Sequence, residues 1–417
     1  MKRSKKNTIG RFLGAILGIC LLCGCSRKPP EPADHQESQE EPVSVKEDWS
    51  CFNGVKVQAP QEISLYDAQH KEAGRLYAGS FVDIESDTGN GYVKLRDEDY
   101  FVRGSEVQEA QRWFDHRTSL LPSDEIIRAG KDHVLYDRRG NALLQIKEPH
   151  DYRVYVRAEG ERWGVLFQNC VCFIDPSDVT ESWSEPAARQ EAGRIPVLMY
   201  HFFYSEEKGE TRIDGNYVEQ NELRSQLQWL KDNGWTSLTM EEVLYFMQGR
   251  ASVPQNSVAI TIDDGDPSVH EYAFPLFVEY GMKATLFIIG GWGEPTMSWD
   301  LWEMREAGLE LQSHGFLTHQ GGCPGMGHGG RILCMDYNEG VQDTIMSFDY
   351  VDGGFVYCYP FGDVNEHAKQ ILRDAGALMA FTTEPGIIYR GMDLLELPRV
   401  RVIGGNGLAV FAGSLGN

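Results

Sequence analysis

Strand-like and helix-like segments alternate from Arg194 to the C-terminus, and this alternation limits the fold more than any other feature of the chain. Apolar runs such as residues 258–262 predict buried strands, and the spacing of Leu223, Leu227 and Leu230 predicts a helix between two of them. Repeated strand–helix units favour a parallel sheet with the helices outside it. With roughly seven strands in the series, we expect a closed or nearly closed α/β barrel rather than an open sheet.

Three polar clusters each follow directly on one of these strands: Asp263-Asp264, His314 with His319, and the segment 359–362. In a βα barrel the carboxyl ends of the strands converge on one face, where active sites form. The two histidines are five residues apart, so they belong to a strand end and its loop rather than to one face of a helix. Two imidazoles and a carboxylate suit a divalent metal, and the second carboxylate stays free to act as a base.

These clusters resemble the motifs of the polysaccharide deacetylases, which form carbohydrate esterase family 4 and share a NodB-like domain. The segments that carry the resemblance are PVLMYH at 196–201, TIDDG at 261–265, SHGFLTH at 313–319, YPFG at 359–362 and LPRV at 397–400. The likeness covers residues 195–417 and implies a distorted (β/α) barrel as the catalytic domain.

The resemblance also implies a role for each matching residue. Asp264, His314 and His319 would bind a divalent metal, usually Zn²⁺, and Asp263 would be the general base that takes a proton from the attacking water. Tyr359 and Pro360 would lie at the substrate, and a backbone N–H near Tyr359 would stabilise the oxyanion. The expected reaction releases acetate from an N-acetylated amino sugar and leaves a free amine.

The sequence departs from the family pattern at three places. Gly315 stands where Ser or Thr usually follows the first histidine, and the third motif, which often opens with Arg, reads Tyr-Cys-Tyr at 357–359. The late histidine that many members use as a general acid is missing. His201 and His328 are the candidates for that acid, with His201 preferred; each could instead be structural or solvated, and His367 falls within a predicted helix.

Three functions therefore remain open at this point. The first is metal-dependent N-deacetylation of a cell-wall or surface polysaccharide that contains N-acetylglucosamine, for which peptidoglycan is favoured only by analogy. The second is removal of O-acetyl groups from a glycan, because the same site can attack an ester. The third is a catalytically impaired glycan-binding surface lipoprotein.

The region before the barrel reads as two small all-β domains. Residues 51–110 alternate short apolar runs with turns, and Asn90-Gly91 is a strong hairpin signal. Their order resembles bacterial SH3-like domains, and the repeat of Leu-Tyr-Asp at 135–137 makes 111–182 a diverged second copy. One irregular β domain is the alternative. The polar segment 183–194 is predicted to be a linker.

The N-terminus has the pattern of an exported lipoprotein. A basic segment and an apolar run that is too short to span a bilayer end in Leu-Cys-Gly-Cys, which resembles a lipobox, so residues 1–25 are a predicted signal peptide and Cys25 the lipidation site. The Pro-rich, acidic stretch 26–50 is then a disordered tether. We expect an extracytoplasmic protein, lipid-anchored to the bacterial cell membrane; a cleaved signal peptide with an incidental Cys25 is the alternative.

The net charge limits the classes of ligand that the chain could bind, and the cysteine content allows disulfide bonds. The chain carries 39 basic and 62 acidic residues, a formal net charge of −23, so it is a poor match for the phosphate backbone of nucleic acids. Beyond Cys25 six cysteines remain, and export permits disulfides. Cys323 and Cys334 flank a Gly-rich loop and are the preferred pair, with two free thiols as the alternative.

Overall fold

The structure is a computed structural model, and it describes residues 48–110, 117–157, 160–292 and 299–416. The predicted signal peptide, Cys25 and nearly all of the predicted tether lie outside these residues and remain predictions. Within the described ranges, no helix is both long and apolar enough to cross a lipid bilayer.

The N-terminal part of the described chain, up to residue 184, is built from β-strands. They are β1 (Lys56–Gln58), β2 (Ile63–Tyr66), β3 (Glu72–Leu76), β4 (Phe81–Asp87), β5 (Tyr92–Leu95), β6 (Phe101–Arg103), β7 (Gln108–Glu109), β8 (Glu125–Ala129), β9 (His133–Tyr136), β10 (Ala142–Ile146), β11 (His150–Val156), β12 (Trp163–Phe167), β13 (Cys170–Ile174) and β14 (Val179–Ser184). Buried and half-buried residues alternate along β2 and β5, which is the pattern of strands with one face on a core. The hairpin predicted at Asn90-Gly91 joins β4 to β5.

Strands β1–β7 and strands β8–β14 pair within each set by the same scheme. In the first set β1 contacts β4 and β7, β2 contacts β3 and β6, and β5 lies between β4 and β6. In the second set β8 contacts β11 and β14, β9 contacts β10 and β13, and β12 lies between β11 and β13. We call residues 56–109 the first β unit and residues 125–184 the second β unit. Their assignment to the SH3-like class, with a boundary at residues 110/111, remains a prediction.

The two β units meet edge to edge. Strand β3 pairs antiparallel with its counterpart β10, with Arg75 opposite Gln145 at the centre of the pairing. Because corresponding strands meet in opposite directions, an approximate two-fold axis passes between them. Apolar residues of both units, among them Leu65, Ile84, Leu135 and Val165, form one buried cluster.

The remaining strands and the helices belong to the C-terminal part. The strands are β15 (Val197–Tyr200), β16 (Phe202–Tyr204), β17 (Tyr217–Glu219), β18 (Thr236–Leu238), β19 (Ser257–Ile262), β20 (Thr285–Ile288), β21 (Glu310–Ser313), β22 (Val356–Cys358), β23 (Met379–Pro385) and β24 (Leu397–Arg401). The helices are α1 (Gln220–Asp232), α2 (Met240–Met247), α3 (Phe274–Tyr280), α4 (Trp299–Glu306), α5 (Tyr337–Tyr350), α6 (Glu366–Asp374) and α7 (Leu408–Ser414).

Seven parallel strands close the barrel. The order β15-β24-β23-β22-β21-β20-β19 returns from β19 to β15, so the ring has no open edge, and β18 pairs with the first half of β19. Strands β15, β19 and β20 are buried at every residue, as expected when side chains fill the barrel on one face and helices cover the other. The predicted closed α/β barrel is confirmed.

The helices follow local sequence signals. Helix α1 buries Leu223, Leu227 and Leu230 and ends at Asn233, as the periodicity predicts. Helix α2 begins with a capping box in which Thr239 and Glu242 bond each other's backbone N–H. Helices α3, α4, α5 and α6 each connect two consecutive strands of the ring from β19 to β23.

The second β unit is fixed to the barrel. Phe173 of β13 and Tyr245 of α2 share a buried cluster, with their ring centroids 6.3 Å apart. Arg138 forms an ion pair of 3.2 Å with Glu241 and lies 3.9 Å from the ring centroid of Phe355. The predicted linker 183–194 also bonds to the barrel part, since Ala192 donates its N–H to the carbonyl of Val253 (2.9 Å).

Candidate active site

Four barrel strands deliver the polar residues singled out in the sequence. His201 follows β15, the pair Asp263-Asp264 follows β19, His314 follows β21 and Tyr359 follows β22. Because these strands are parallel members of one closed ring, their carboxyl ends share one rim of the barrel. The residues from distant parts of the chain therefore meet there.

Asp264, His314 and His319 form a compact triad. Atom Nε2 of His314 and atom Nε2 of His319 each lie 3.4 Å from Oδ1 of Asp264. Ligands that surround one Zn²⁺ tetrahedrally at about 2.0–2.1 Å lie about 3.3–3.4 Å apart, so this spacing fits three ligands of a single divalent ion. The predicted ligand set is thus brought together in a geometry that can hold a metal.

Hydrogen bonds set the ring orientation of His314 and the position of the loop that leads to His319. His314 is buried, and its Nδ1 lies 2.7 Å from the carbonyl oxygen of Cys358, so Nδ1–H donates there and Nε2 faces Asp264. The loop before His319 is held by the buried carboxylate of Asp343, which accepts the N–H groups of Phe316 (3.0 Å) and Leu317 (2.7 Å). Asp343 thus positions the second imidazole without touching it.

Gly315, the departure in the second motif, has a structural reason. Its φ is +84°, in the left-handed region that favours glycine. A Cβ at this residue would lie 1.9 Å from Oγ1 of Thr318 and 2.9 Å from the hydroxyl of Tyr357. The hydroxyls of Thr318 and Tyr357 are hydrogen-bonded at 2.9 Å, so a buried polar contact occupies the space that a side chain would need.

Asp263 is held apart from the triad by a buried arginine. Arg399 of β24 donates from its two terminal nitrogens to the two carboxylate oxygens of Asp263, both at 2.7 Å. Both side chains are almost completely shielded from water, with 0% and 2% of their surface exposed. Burial alone would raise the pKa of Asp263, but the charge and hydrogen bonds of Arg399 lower it to about 2. The carboxylate is therefore ionised at neutral pH and can accept a proton.

Cys358 completes this buried network. Its thiol lies 3.5 Å from Oδ2 of Asp263, and Arg399 donates to its sulfur at 3.1 Å. Burial raises the pKa of the thiol, which keeps it neutral beside the carboxylate. A small neutral group at this position leaves room for the Arg399 guanidinium.

His201 lies next to the base rather than in the triad. Its Nε2 is 3.9 Å from Oδ2 of Asp263, and only 16% of its side chain is exposed. Burial lowers its pKa. The structure thus brings this predicted catalytic residue to the site, while its role as the general acid remains a prediction.

The oxyanion assignment needs a correction. Tyr359 is fully buried, its N–H donates to the carbonyl of Phe381 (2.9 Å), its hydroxyl donates to Leu395 (3.0 Å), and Pro360 has no N–H. Neither residue can give an N–H to an oxyanion. The next residue, Phe361, adopts φ +62°, and among the described residues its N–H has no hydrogen-bond acceptor. Its ring centroid lies 4.7 Å from that of His319, which places Phe361 beside the triad.

The other two histidines serve the structure around the site. His328 has 70% of its side chain exposed and contacts the buried carboxylate of Asp363 through Nδ1 (3.0 Å) and its backbone N–H (2.8 Å). His367 lies on α6, as predicted, and bonds the carbonyl of Met335. The Gly-rich loop that holds His328 is closed by a disulfide between Cys323 and Cys334, the pair preferred from the sequence.

Sequence reasoning missed three residues that shape this site. In the sequence Arg399 is recognisable only as part of the closing strand LPRV, although an arginine in a buried strand needs a buried partner. Asp343 stands inside a helix with no motif around it. Phe361 contributes its backbone N–H, and its positive φ cannot be inferred from the sequence.

Comparisons with known proteins agree with this geometry. Residues 250–380 match the family model described as polysaccharide deacetylase. YxkH of Bacillus subtilis strain 168, named as a polysaccharide deacetylase, is 30% identical over 237 residues, which is 54% of this chain and 76% of YxkH. The poly-beta-1,6-N-acetyl-D-glucosamine N-deacetylase of Staphylococcus aureus strain MSSA476 is 27% identical over 217 residues, covering 48% of this chain and 72% of the relative.

Similarity to solved structures was found as well. The deacetylase PplD of Streptococcus pyogenes, solved in complex with acetate, is 24% identical with a TM-score of 0.47, and the match covers 54% of this chain and 99% of PplD.

Proposed function

This chain belongs to the polysaccharide deacetylase family, and we propose that it is a metal-dependent N-deacetylase acting on a polysaccharide that contains N-acetylglucosamine. One observation carries the proposal. A triad of metal-ligand type and a separate ionised carboxylate, held by Arg399, lie side by side at the carboxyl ends of the barrel strands. Hydrolysis of an acetamide by water needs both an electrophile for the carbonyl and an acceptor for the proton of the water.

The residues of the triad suit Zn²⁺ or a similar divalent ion. Asp264, His314 and His319 would hold it, and imidazole nitrogen together with a carboxylate oxygen is a donor set that Zn²⁺ accepts. When bound there, such an ion supplies Lewis acidity that polarises the acetyl carbonyl and a water molecule.

The other residues of the site would handle protons and charge. Asp263 accepts a proton as the oxygen of the water attacks the acetyl carbon, and Arg399 holds its carboxylate in place. The N–H of Phe361 donates to the oxygen that becomes negative in the tetrahedral intermediate. The C–N bond then breaks, the amine nitrogen takes up a proton, and acetate leaves. We propose His201 as the donor of that proton; its Nε2 lies 3.9 Å from Oδ2 of Asp263, so it can take up the proton that Asp263 accepted from the water and pass it to the nitrogen.

The substrate class rests on the relatives. The name of the Staphylococcus aureus relative states that it removes N-acetyl groups from poly-β-1,6-N-acetyl-D-glucosamine. We extend the N-acetylglucosamine part of that description to this chain, with a surface polysaccharide or peptidoglycan as the polymer. An O-acetyl ester is the second candidate, because a site that attacks an acetamide can also attack an acetate ester.

The test is acetate release from matched polymers. The full chain is loaded with Zn²⁺ and given N-acetylglucosamine oligosaccharides or an O-acetylated glycan without N-acetyl groups, with and without a chelator. We expect acetate from the N-acetylated substrate only, abolished by the chelator and by His319→Ala but kept in His367→Ala. Faster release from the ester would make the chain an esterase, and no release from either substrate would favour the impaired binding protein.

We also propose that Cys25 anchors the chain to the outer face of the cell membrane. The lipobox-like segment and the Pro-rich stretch after it support this location, which would put the barrel within reach of wall and surface glycans. Cys25→Ser should move the protein from the membrane fraction to the soluble fraction of cells. Retention of the variant on membranes would contradict the anchor.

A further inference from the structure

The catalytic rim carries an exposed arginine on strand β24. Side chains two residues apart on a strand point to the same face, so Arg401 lies on the same side as Arg399. Arg399 bonds Asp263 inside the barrel, whereas Val400 packs with Leu198 in the buried cluster that holds the apolar residues of α1. Arg401 therefore points over the mouth of the barrel, one step beyond the guanidinium that holds the base, and it is exposed there.

The neighbouring strand brings His201 to the same place. Met199 of β15 pairs with Arg401, and Val402 donates its N–H to the carbonyl of Met199 (3.0 Å), so the two strands remain paired up to the rim. His201 comes two residues after Met199, on the same inward face. Burial lowers the pKa of His201 and the charge of Arg401 lowers it further, which agrees with their closeness.

The guanidinium of Arg401 is oriented by a neutral partner. A terminal nitrogen donates to the side-chain oxygen of Asn216, which directly precedes β17. Within the described ranges of the chain, Arg401 forms no ion pair. The two carboxylates of the site are already engaged, because Asp263 bonds Arg399 through both oxygens and Asp264 belongs to the triad.

Two further acidic residues close to Asn216 and the base bond backbone groups instead. Asp214 accepts the N–H of Asn216 (2.7 Å), and Asp266 accepts the N–H of Ser268 (2.9 Å). Each carboxylate therefore holds the turn of its own loop. Arg401 is left as a positive charge with a fixed orientation, exposed to a ligand at the rim and beside the proposed proton donor.

We infer that Arg401 binds a carboxylate group of the polysaccharide substrate, an inference that rests on the proposed function and narrows its substrate class. A guanidinium can donate from two nitrogens to the two oxygens of a carboxylate, a geometry that a single hydroxyl group does not match. The bond to Asn216 uses one terminal nitrogen, so N–H groups of the guanidinium remain for the ligand.

The position of Arg401 indicates where that carboxylate would be. His201 is the proposed proton donor to the amine nitrogen of the sugar, so a group beside His201 can reach a substituent on the next ring carbon or on the neighbouring sugar. In N-acetylmuramic acid the ring carbon next to the acetamido group carries a lactyl ether that ends in a carboxylate. A polymer of N-acetylglucosamine alone has no such group. Arg401 therefore favours glycan strands that contain N-acetylmuramic acid.

This contact predicts a preference in KM. Strands with free carboxylates should have a KM about tenfold lower than the same strands after their carboxyl groups are reduced to alcohols. This factor is near the lower end for a hydrogen bond to a charged group, because Arg401 is exposed. The carboxylate is not part of the reacting acetamide, so kcat should be similar for the two substrates. High salt should weaken the preference.

The experiment uses the full chain and three variants. Arg401→Gln removes the charge and keeps a polar side chain, whereas Asn216→Asp keeps Arg401 and gives it a carboxylate partner in place of the amide. Arg373→Gln removes an exposed arginine near the end of α6, which leads to the amino end of β23, and is the matched control. The substrates are peptide-free strands of alternating N-acetylglucosamine and N-acetylmuramic acid and their carboxyl-reduced form. Binding is measured by calorimetry with chelator present, and acetate release is measured separately with Zn²⁺.

We expect the wild type and Arg373→Gln to prefer the free carboxylates about tenfold, both in binding and in KM, and Arg401→Gln and Asn216→Asp to lose this preference. A wild type that does not distinguish the two substrates would overturn the inference, and so would an unchanged preference in an Arg401→Gln variant with normal thermal unfolding. An equal fall of kcat on both substrates with the preference intact would show that Arg401 acts only on His201, which also overturns it. Because binding is measured without turnover, a preference that Arg401→Gln abolishes, with no acetate released from either substrate, would contradict the proposed function and leave this inference standing.

Discussion

Arg399→Met tests the physical logic of the site most directly. The guanidinium is completely buried and donates to five acceptors: both oxygens of Asp263, Oγ1 of Thr261, the carbonyl of Thr382 and the sulfur of Cys358. Methionine has a similar length and is apolar, so the substitution leaves little empty space. It leaves the carboxylate of Asp263 buried without its counter-charge.

The magnitude follows from that unpaired carboxylate. Removal of one partner from a buried ion pair costs about 3–5 kcal/mol of the free energy of unfolding, because the other charge stays out of water. Removal of both charges costs far less, so Arg399→Met combined with Asp263→Asn should recover most of the lost stability. Activity should fall in the single variant, because the carboxylate that accepts the proton loses its position and its ionised state.

The pH dependence of the free energy of unfolding tests the same reasoning independently. In the wild type the pKa of Asp263 is lowered to about 2, so its contribution to stability is present above its unfolded pKa near 4 and is lost as the pH falls toward 2. In Arg399→Met burial acts alone and raises the pKa of Asp263, so the variant loses stability as the pH rises and the buried carboxyl group must ionise. The difference between wild type and variant in urea unfolding should therefore grow from pH 4 to pH 7. A difference below about 1 kcal/mol at pH 7, or a double variant no more stable than the single one, would refute the reasoning.

Three further changes test other parts of the site. His314→Ala should lose most of the bound Zn²⁺ in elemental analysis, while His367→Ala keeps it; full occupancy in the first variant would remove His314 from the ligand set. Asp263→Asn should lower acetate release by on the order of 100-fold with little change in metal content, and near-normal release from a folded, metal-loaded protein would contradict its role as the base. Replacement of Cys323 and Cys334 by Ser removes a disulfide that joins residues 11 positions apart. The free energy of unfolding, measured by chemical denaturation without reductant, should fall by about 3 kcal/mol, whereas an unchanged midpoint would show that the disulfide contributes nothing.

The barrel could be predicted from the sequence because its signals are local. Strands such as β19 and β20 are largely apolar runs, and helices α2 and α1 begin and end at residues with known capping preferences, Thr239 and Asn233. The parallel strands β19 and β21, which are separated only by β20, then place Asp264 near His314. The predicted ligand set met in space because strand ends in a closed parallel ring share one rim.

The parts that could not be predicted depend on contacts between distant residues or on backbone conformation. Asp263 and Arg399 are 136 residues apart, and nothing near either residue reports the other. Phe361, whose N–H has no acceptor within the described part of the chain, adopts φ +62°, a conformation that a bulky residue seldom adopts and that the sequence does not suggest. The edge-to-edge pairing of β3 with β10 is likewise a contact between two surfaces, each of which reads as an ordinary strand.

The departure in the third motif is explained by the position of Arg399. The family motif that follows β22 often opens with Arg, and here the corresponding stretch carries Cys358, while the guanidinium beside the base comes from Arg399 on β24. The sulfur of Cys358 lies 3.1 Å from this guanidinium and 3.5 Å from the carboxylate, so one buried space holds both groups and could not hold a second arginine. A second positive charge there would also lack a counter-charge, since both oxygens of Asp263 are already bonded to Arg399. The base therefore keeps a cationic partner, supplied from a different strand, and the small thiol on β22 is what makes room for it.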